Sequence, residues 1–128
     1  MREIVEAEFW LQSAKNLFSS EIQTPEKYTV IVAQCIHSII RANDALTLKF
    51  LKKRAFKHIE APELFLELIK QHKIPSSFAD LRKSVLIPAI NLKSKADYKG
   101  LLASKTDAEK WIKLAENFLN SAKKCLEE

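Results

Sequence analysis

Between Pro25 and Pro62 the chain has neither proline nor glycine, and in all 128 residues glycine occurs once, at Gly100. Sheet architectures need glycine-rich turns at short intervals, so this scarcity argues against an all-β fold. Thr24-Pro25-Glu26 has the form of a helix start. Threonine stands at the cap, proline at the first position, and an acid faces the positive helix end. With no breaker before Pro62, the pattern predicts a long second helix over about 25–52. Apolar residues make up 47% of the sequence, enough for a chain of this size to bury a core.

Other segments repeat the helical period. Ile4, Ala7, Leu11, Ala14 and Phe18 recur every three or four residues, with Trp10 and Leu17 widening the stripe, which predicts a first helix over 3–19. Pro62 opens a short helix from Glu63 to about Gln71, carrying Leu64, Phe65, Leu68 and Ile69. Pro75 breaks the chain, and Ser76 or Ser77 can cap a fourth helix running to about Val85, with Asp80 near its start. Pro88 disfavours helix at Ile87 or kinks it, and a lysine-rich loop is expected from Asn91 to Ser104. Thr106-Asp107-Ala108-Glu109 fits a capping box for a last helix bearing Ala108, Trp111, Ile112, Ala115, Phe118, Leu119, Ala122 and Leu126. The expected fold is therefore all-α: one domain, 1–128, forming a five-helix up-and-down bundle around a long central second helix.

No segment approaches the eighteen or so continuous apolar residues of a membrane span, so no membrane is expected. The charged start, Met1-Arg2-Glu3-Ile4-Val5-Glu6, lacks the apolar run of a signal peptide and points to the cytoplasm. Cys35 lies in an apolar helical run and reads as a buried thiol. Two cysteines and three scattered histidines show no metal-ligand spacing, and no cofactor is implied.

The net charge of +5 is uneven. Lys49, Lys52, Lys53, Arg54 and Lys57 form a cluster without an acid, and Lys93, Lys95, Lys99 and Lys105 form one containing only Asp97. Both fit phosphate contact, and both also fit a solvated face. On the second helix Gln34, His37, Arg41 and Asp44 follow at steps of three, four and three and so share a face. A buried charge without a partner is costly. This row must therefore face water, another subunit or its own members, and Arg41 can pair with Asp44. It reads either as a polar cleft holding a phosphate or nucleotide through Arg41 and His37, or as a hydrated stripe that orients packing. Arg54 and His58, four apart, can grip a phosphodiester and move a proton, or His58 can simply pack at the next helix. Tyr98, flanked by Lys95 and Lys99, can stack on a base or tether its loop.

Two segments resemble HEPN domains, small helical proteins of prokaryotes and higher eukaryotes. One runs from Ala33 through Gln34-Cys35-Ile36-His37 and Arg41-Ala42-Asn43-Asp44 to Leu46, followed by His58 before a leucine-rich helix. The other runs from Lys95-Ala96-Asp97-Tyr98-Lys99 through Asp107-Ala108-Glu109 to Ala115-Glu116-Asn117-Phe118-Leu119. The resemblance implies a five-helix bundle that pairs as a homodimer. It also implies a nucleotidyltransferase partner in a toxin–antitoxin pair and, in active members, metal-independent ribonuclease activity through an Arg, four to six residues, then His. No arginine here (2, 41, 54 or 82) has a histidine at that spacing; Arg54 and His58 fall one residue short. No catalytic residue is carried over.

The expected function is thus a dimeric, HEPN-like binding domain without catalysis of its own, engaging a nucleotide, RNA or a partner nucleotidyltransferase. The cleft is expected to include Arg41. The candidate ligand-binding residues are His37, Arg41, Asp44, Arg54, His58, Lys95 and Tyr98. A divergent ribonuclease and a purely structural partner are the alternatives.

Overall fold

Helices account for nearly all of the secondary structure, and no strand occurs among the described residues, 1–96 and 101–127 of the computed structural model. We number five helices. Helix α1 spans Arg2–Ser19, α2 Glu26–Leu51 and α3 Ala61–Lys70, the last entered through a 3₁₀ turn at His58–Glu60. Helix α4 is a continuous rod of Ala79–Leu81, a π-helical stretch Arg82–Leu86, and Ile87–Ala96. Helix α5 spans Lys105–Glu127. None is long and apolar enough to cross a membrane.

Helix α2 is central, packing most extensively on α1 and α5 and also on α3 and α4. Its buried side chains include Ile31, Ile36, Ile39, Ile40, Leu46 and Cys35, and they join Phe65 of α3 and Phe118 of α5, whose rings lie 5.9 Å apart, in one core. Burial pushes the Cys35 thiol up to about 12, consistent with an inert core cysteine. Helices α1 and α2 run antiparallel: Phe18 meets Tyr28, and further along the Ser38 hydroxyl donates to the Ala7 carbonyl at 2.7 Å.

Helix α5, however, runs parallel to α2. At the start of α2 the Thr29 hydroxyl accepts the Ala103 N–H at 3.2 Å, and at its end Lys49 Nζ donates to the Leu126 carbonyl at 2.6 Å. The strict alternation of an up-and-down bundle is therefore not kept. Ten-residue α3, about 15 Å long, is too short to cross beside α2 at about 39 Å. Helices α3 and α4 together make the return, held by Arg82, whose Nε donates to the Pro62 carbonyl at 2.9 Å.

Three local expectations are corrected. Pro88 does not end α4. It has no N–H to give the Ser84 carbonyl, and the preceding turn widens so that the Ile87 N–H reaches the Arg82 carbonyl, which lets the helix run on to Ala96. The expected loop from Asn91 is thus helical at its start. The capping box lies two residues earlier than expected. The Ser104 hydroxyl accepts the Asp107 N–H at 3.1 Å, and the Asp107 carboxylate accepts the Ser104 N–H at 2.9 Å. Helix α2 spans about its expected length, but its cap position is Pro25 and not Thr24, whose side chain makes no cap; Lys27 and Tyr28 donate to the Thr24 and Pro25 carbonyls.

With one glycine in the chain, left-handed helix ends fall to Lys52 (φ 61°) after α2 and His72 (φ 57°) after α3. His72 sits in a Schellman motif: its N–H donates to the Ile69 carbonyl, and the Lys73 N–H to that of Leu68. A β-carbon in this conformation costs energy that glycine avoids. His72→Gly should therefore raise stability by about 0.5–1 kcal/mol, read as a higher urea midpoint with unchanged slope. A lower midpoint would contradict this.

Candidate functional site

The polar row of α2 meets the turn after it. At its C-terminal end, Lys52 in the left-handed region reverses the chain, and the segment 53–60 folds back along the helix. This brings Arg54, Ala55, Phe56 and His58 against His37, Ile40, Arg41 and Asp44, around a cleft of about 470 Å³. Helix α4 supplies the remaining wall with Lys93, which reaches the site because α4 continues beyond Pro88. Five of the seven residues expected to bind ligand therefore share one cleft. Tyr98 and the Lys95 side chain lie outside the described residues. Gln34 does not line the cleft; its Oε1 is buried without a hydrogen-bond partner among the described residues.

Arg41 occupies the floor but is not available to a ligand. Its Nη1 bonds Asp44 Oδ2 at 2.9 Å, while its Nη2 hydrogen-bonds Glu6 and lies 3.7 Å from Glu3 Oε2. Burial works against the Arg41 charge, but the Glu6 hydrogen bond and the charges of Glu6 and Asp44 outweigh it and raise its pKa. The Arg41 hydrogen bond holds the Glu6 carboxyl below its usual range, whereas burial lifts that of Asp44. Arg41 thus pairs with Asp44 as its spacing suggests, but chiefly clamps α1 to α2. Of the apolar residues interleaved with the row, Cys35 and Ile40 are buried within the single chain and Leu48 is half-buried.

The two histidines are the titratable heart of the cleft. The His37 ring stacks on Trp10 of α1, centroids 4.8 Å apart and planes 26° from parallel. Burial first, then the Lys93 and His58 charges, holds His37 below its ordinary 6.5. His58 lies at the mouth, and partial shelter of its ring followed by the Lys93 charge lowers it too. Both imidazoles are therefore neutral at pH 7, able to accept a proton or hydrogen-bond an oxygen. Arg54 and Lys93 make no ion pair among the described residues, in contrast to Lys53, which lies 3.8 Å from Glu67, and Lys49, bound to the end of α5. Although the Arg54 charge also favours the nearby Asp44 and Glu6 carboxylates, the arrangement can hold an anion between two cations outside these ion pairs and two neutral imidazoles.

Sequence reasoning placed Lys93 in a loop and Trp10 in the core stripe, and it assigned no role to Phe56, Glu3 or Glu6. Only Phe56 carried a usable signal, as an aromatic side chain within an otherwise basic segment. Among the described residues, no group of three His, Cys, Asp or Glu side chains is placed to share a metal ion. Comparison with protein-family models, curated proteins and solved structures finds no match to this chain.

Proposed function

We propose that the cleft binds a phosphate-bearing ligand, a nucleotide or RNA, without cleaving it. The convergence of Arg54 and Lys93, neither ion-paired among the described residues, with His37 and His58 on one cleft carries this reading. The cations attract the phosphate, and the imidazoles complete its hydrogen bonds. Metal-independent phosphodiester cleavage needs a base for the attacking hydroxyl and an acid for the leaving oxygen. In the free cleft both imidazoles are held below their ordinary pKa, which disfavours an imidazolium acid, and no arginine stands at the HEPN spacing from a histidine; together these favour binding over cleavage. The HEPN resemblance adds pairing of two copies and a nucleotidyltransferase partner to the proposal. Val5 and Phe9, exposed on α1, support a face that pairs.

The ribonuclease alternative draws support from the same histidines, since acidification would protonate one and complete an acid–base pair. Incubating the protein with single-stranded RNA and EDTA between pH 5 and 8 separates the two. Intact RNA throughout is the expected result. Cleavage lost in both His37→Ala and His58→Ala would replace the proposal with the enzyme.

Acidity should also act on binding. Each histidine has a folded pKa below its unfolded 6.5. Its contribution to stability is thus full above pH 6.5 and is lost as pH falls towards the folded value. A bound phosphate reverses the preference by favouring the imidazolium. The charged groups of the site are Arg41, Asp44, Arg54 and Lys93, with Glu3 and Glu6 of α1 on Arg41. Tripolyphosphate affinity should therefore rise several-fold from pH 7.5 to 5.5, while the free protein loses thermal stability. Affinity that is flat over this range, or falls on acidification, would contradict the role given to the histidines.

A further inference from the structure

Phe56 is 93% exposed, although a phenylalanine contributes more to stability buried than in water. Ile59 is the one other large exposed apolar side chain near it in the sequence. The segment Lys52-Lys53-Arg54-Ala55-Phe56-Lys57-His58 contains no acid, and Ala55 is its only other apolar residue. The ring does not stand apart from the site either: Phe56 lines the cleft together with Arg54, His58 and Lys93. His37, on the cleft wall, carries the Trp10 ring of α1 stacked on its face. The volume of about 470 Å³ falls within the range of about 300–1,000 Å³ typical of small-ligand sites.

An exposed ring among phosphate-seeking cations is what an unpaired base needs. The base stacks on the ring whatever its identity, while the cations hold the backbone on either side. We infer that Phe56 is a stacking platform and that the segment 52–58 with Lys93 forms a binding track for single-stranded nucleic acid. One phosphate sits between Arg54 and Lys93, and Lys57 and Lys52 meet its neighbours. A duplex, whose bases are stacked on one another, cannot use the platform. An anionic membrane surface is the competing occupant, because Ile59 is also 68% exposed. It is less favoured: a ring inserted into lipid would carry the adjoining histidines and the Asp44–Arg41 pair towards the membrane, whereas a nucleotide uses both ring and polar groups. This inference rests on the proposed phosphate site and adds the base to it.

Fluorescence anisotropy with a labelled twelve-nucleotide single-stranded RNA tests it. A DNA strand of the same sequence, the RNA duplex, tripolyphosphate, and vesicles of phosphatidylcholine and phosphatidylserine serve as further probes. Phe56→Ala should weaken single-strand binding about tenfold to hundredfold, leave tripolyphosphate binding unchanged, and be rescued by Phe56→Trp. The exposed position makes misfolding of these variants readily checked by circular dichroism. The duplex should bind more weakly than the single strand, and the DNA arm shows how much the sugar contributes. Unchanged single-strand affinity in Phe56→Ala overturns the platform but leaves the phosphate site standing if Arg54→Ala with Lys93→Ala still abolishes tripolyphosphate binding. Vesicle binding that depends on Phe56, without nucleic-acid binding that does, overturns it in favour of a membrane surface. A wild-type protein that binds neither tripolyphosphate nor single strands overturns both.

Discussion

Arg41→Ala should destabilise the protein by about 2–4 kcal/mol, more than any other substitution in the cleft. The side chain is 19% exposed and Asp44 only 9%, so removing the cation leaves carboxylates that water reaches poorly. Glu3 and Glu6 lose the same partner, and α1 then has the Ser38–Ala7 hydrogen bond and apolar contact to hold that end. Residual exposure keeps the expected loss below that of a wholly buried pair. Combining Arg41→Met with Asp44→Asn and Glu3→Gln removes the two more buried of the three stranded charges, leaving the more exposed Glu6, and should recover most of the loss. Urea unfolding of the three proteins measures it. A loss below 1 kcal/mol for Arg41→Ala would mean that the clamp contributes little, and would return Arg41 to the ligand.

Asn43→Leu should move stability the other way, by about 2 kcal/mol. Asn43 is 1% exposed on α2, and neither its Oδ1 nor its Nδ2 has a hydrogen-bond partner among the described residues. An amide taken from water without replacement bonds is a standing cost. Leucine has the same branching and heavy-atom number, so it can fill the space without that cost. Asn43→Ala, which leaves a cavity instead, should not stabilise. Thermal unfolding of both variants would show the contrast, and a destabilised Asn43→Leu would mean that the amide has partners or that the site is too tight.

The helices were legible where one local rule governed them. In α1, α2 and α5 the 3.6-residue period, the breaker at Pro25 and the polar residues before α5 all agree. Helix α4 was not legible past Pro88, because the sequence shows the missing N–H but not the wider turn that absorbs it. The parallel course of α5 depends on how far α3 and α4 carry the chain, which periodicity does not encode. In the site, helical spacing brought out His37, Arg41 and Asp44, and a separate spacing brought out Arg54 and His58. Their meeting in one cleft depends on the reversal at Lys52. The engagement of Arg41 was hidden for a related reason: its partner Glu6 lies 35 residues earlier, on another helix. Trp10 shares the three- and four-residue spacing of the core stripe but stands at its edge, where it meets His37 instead.

The central claim is that Arg54 and Lys93 make this cleft a phosphate site. Isothermal titration of a nucleoside triphosphate into the wild-type protein and into Arg54→Ala with Lys93→Ala tests it most directly, with circular dichroism to confirm that both are folded. The account predicts saturable wild-type binding that weakens at least about tenfold in the double variant, as expected for losing two charge-assisted contacts. Equal affinity in the two proteins, or no binding by the wild type, would contradict it.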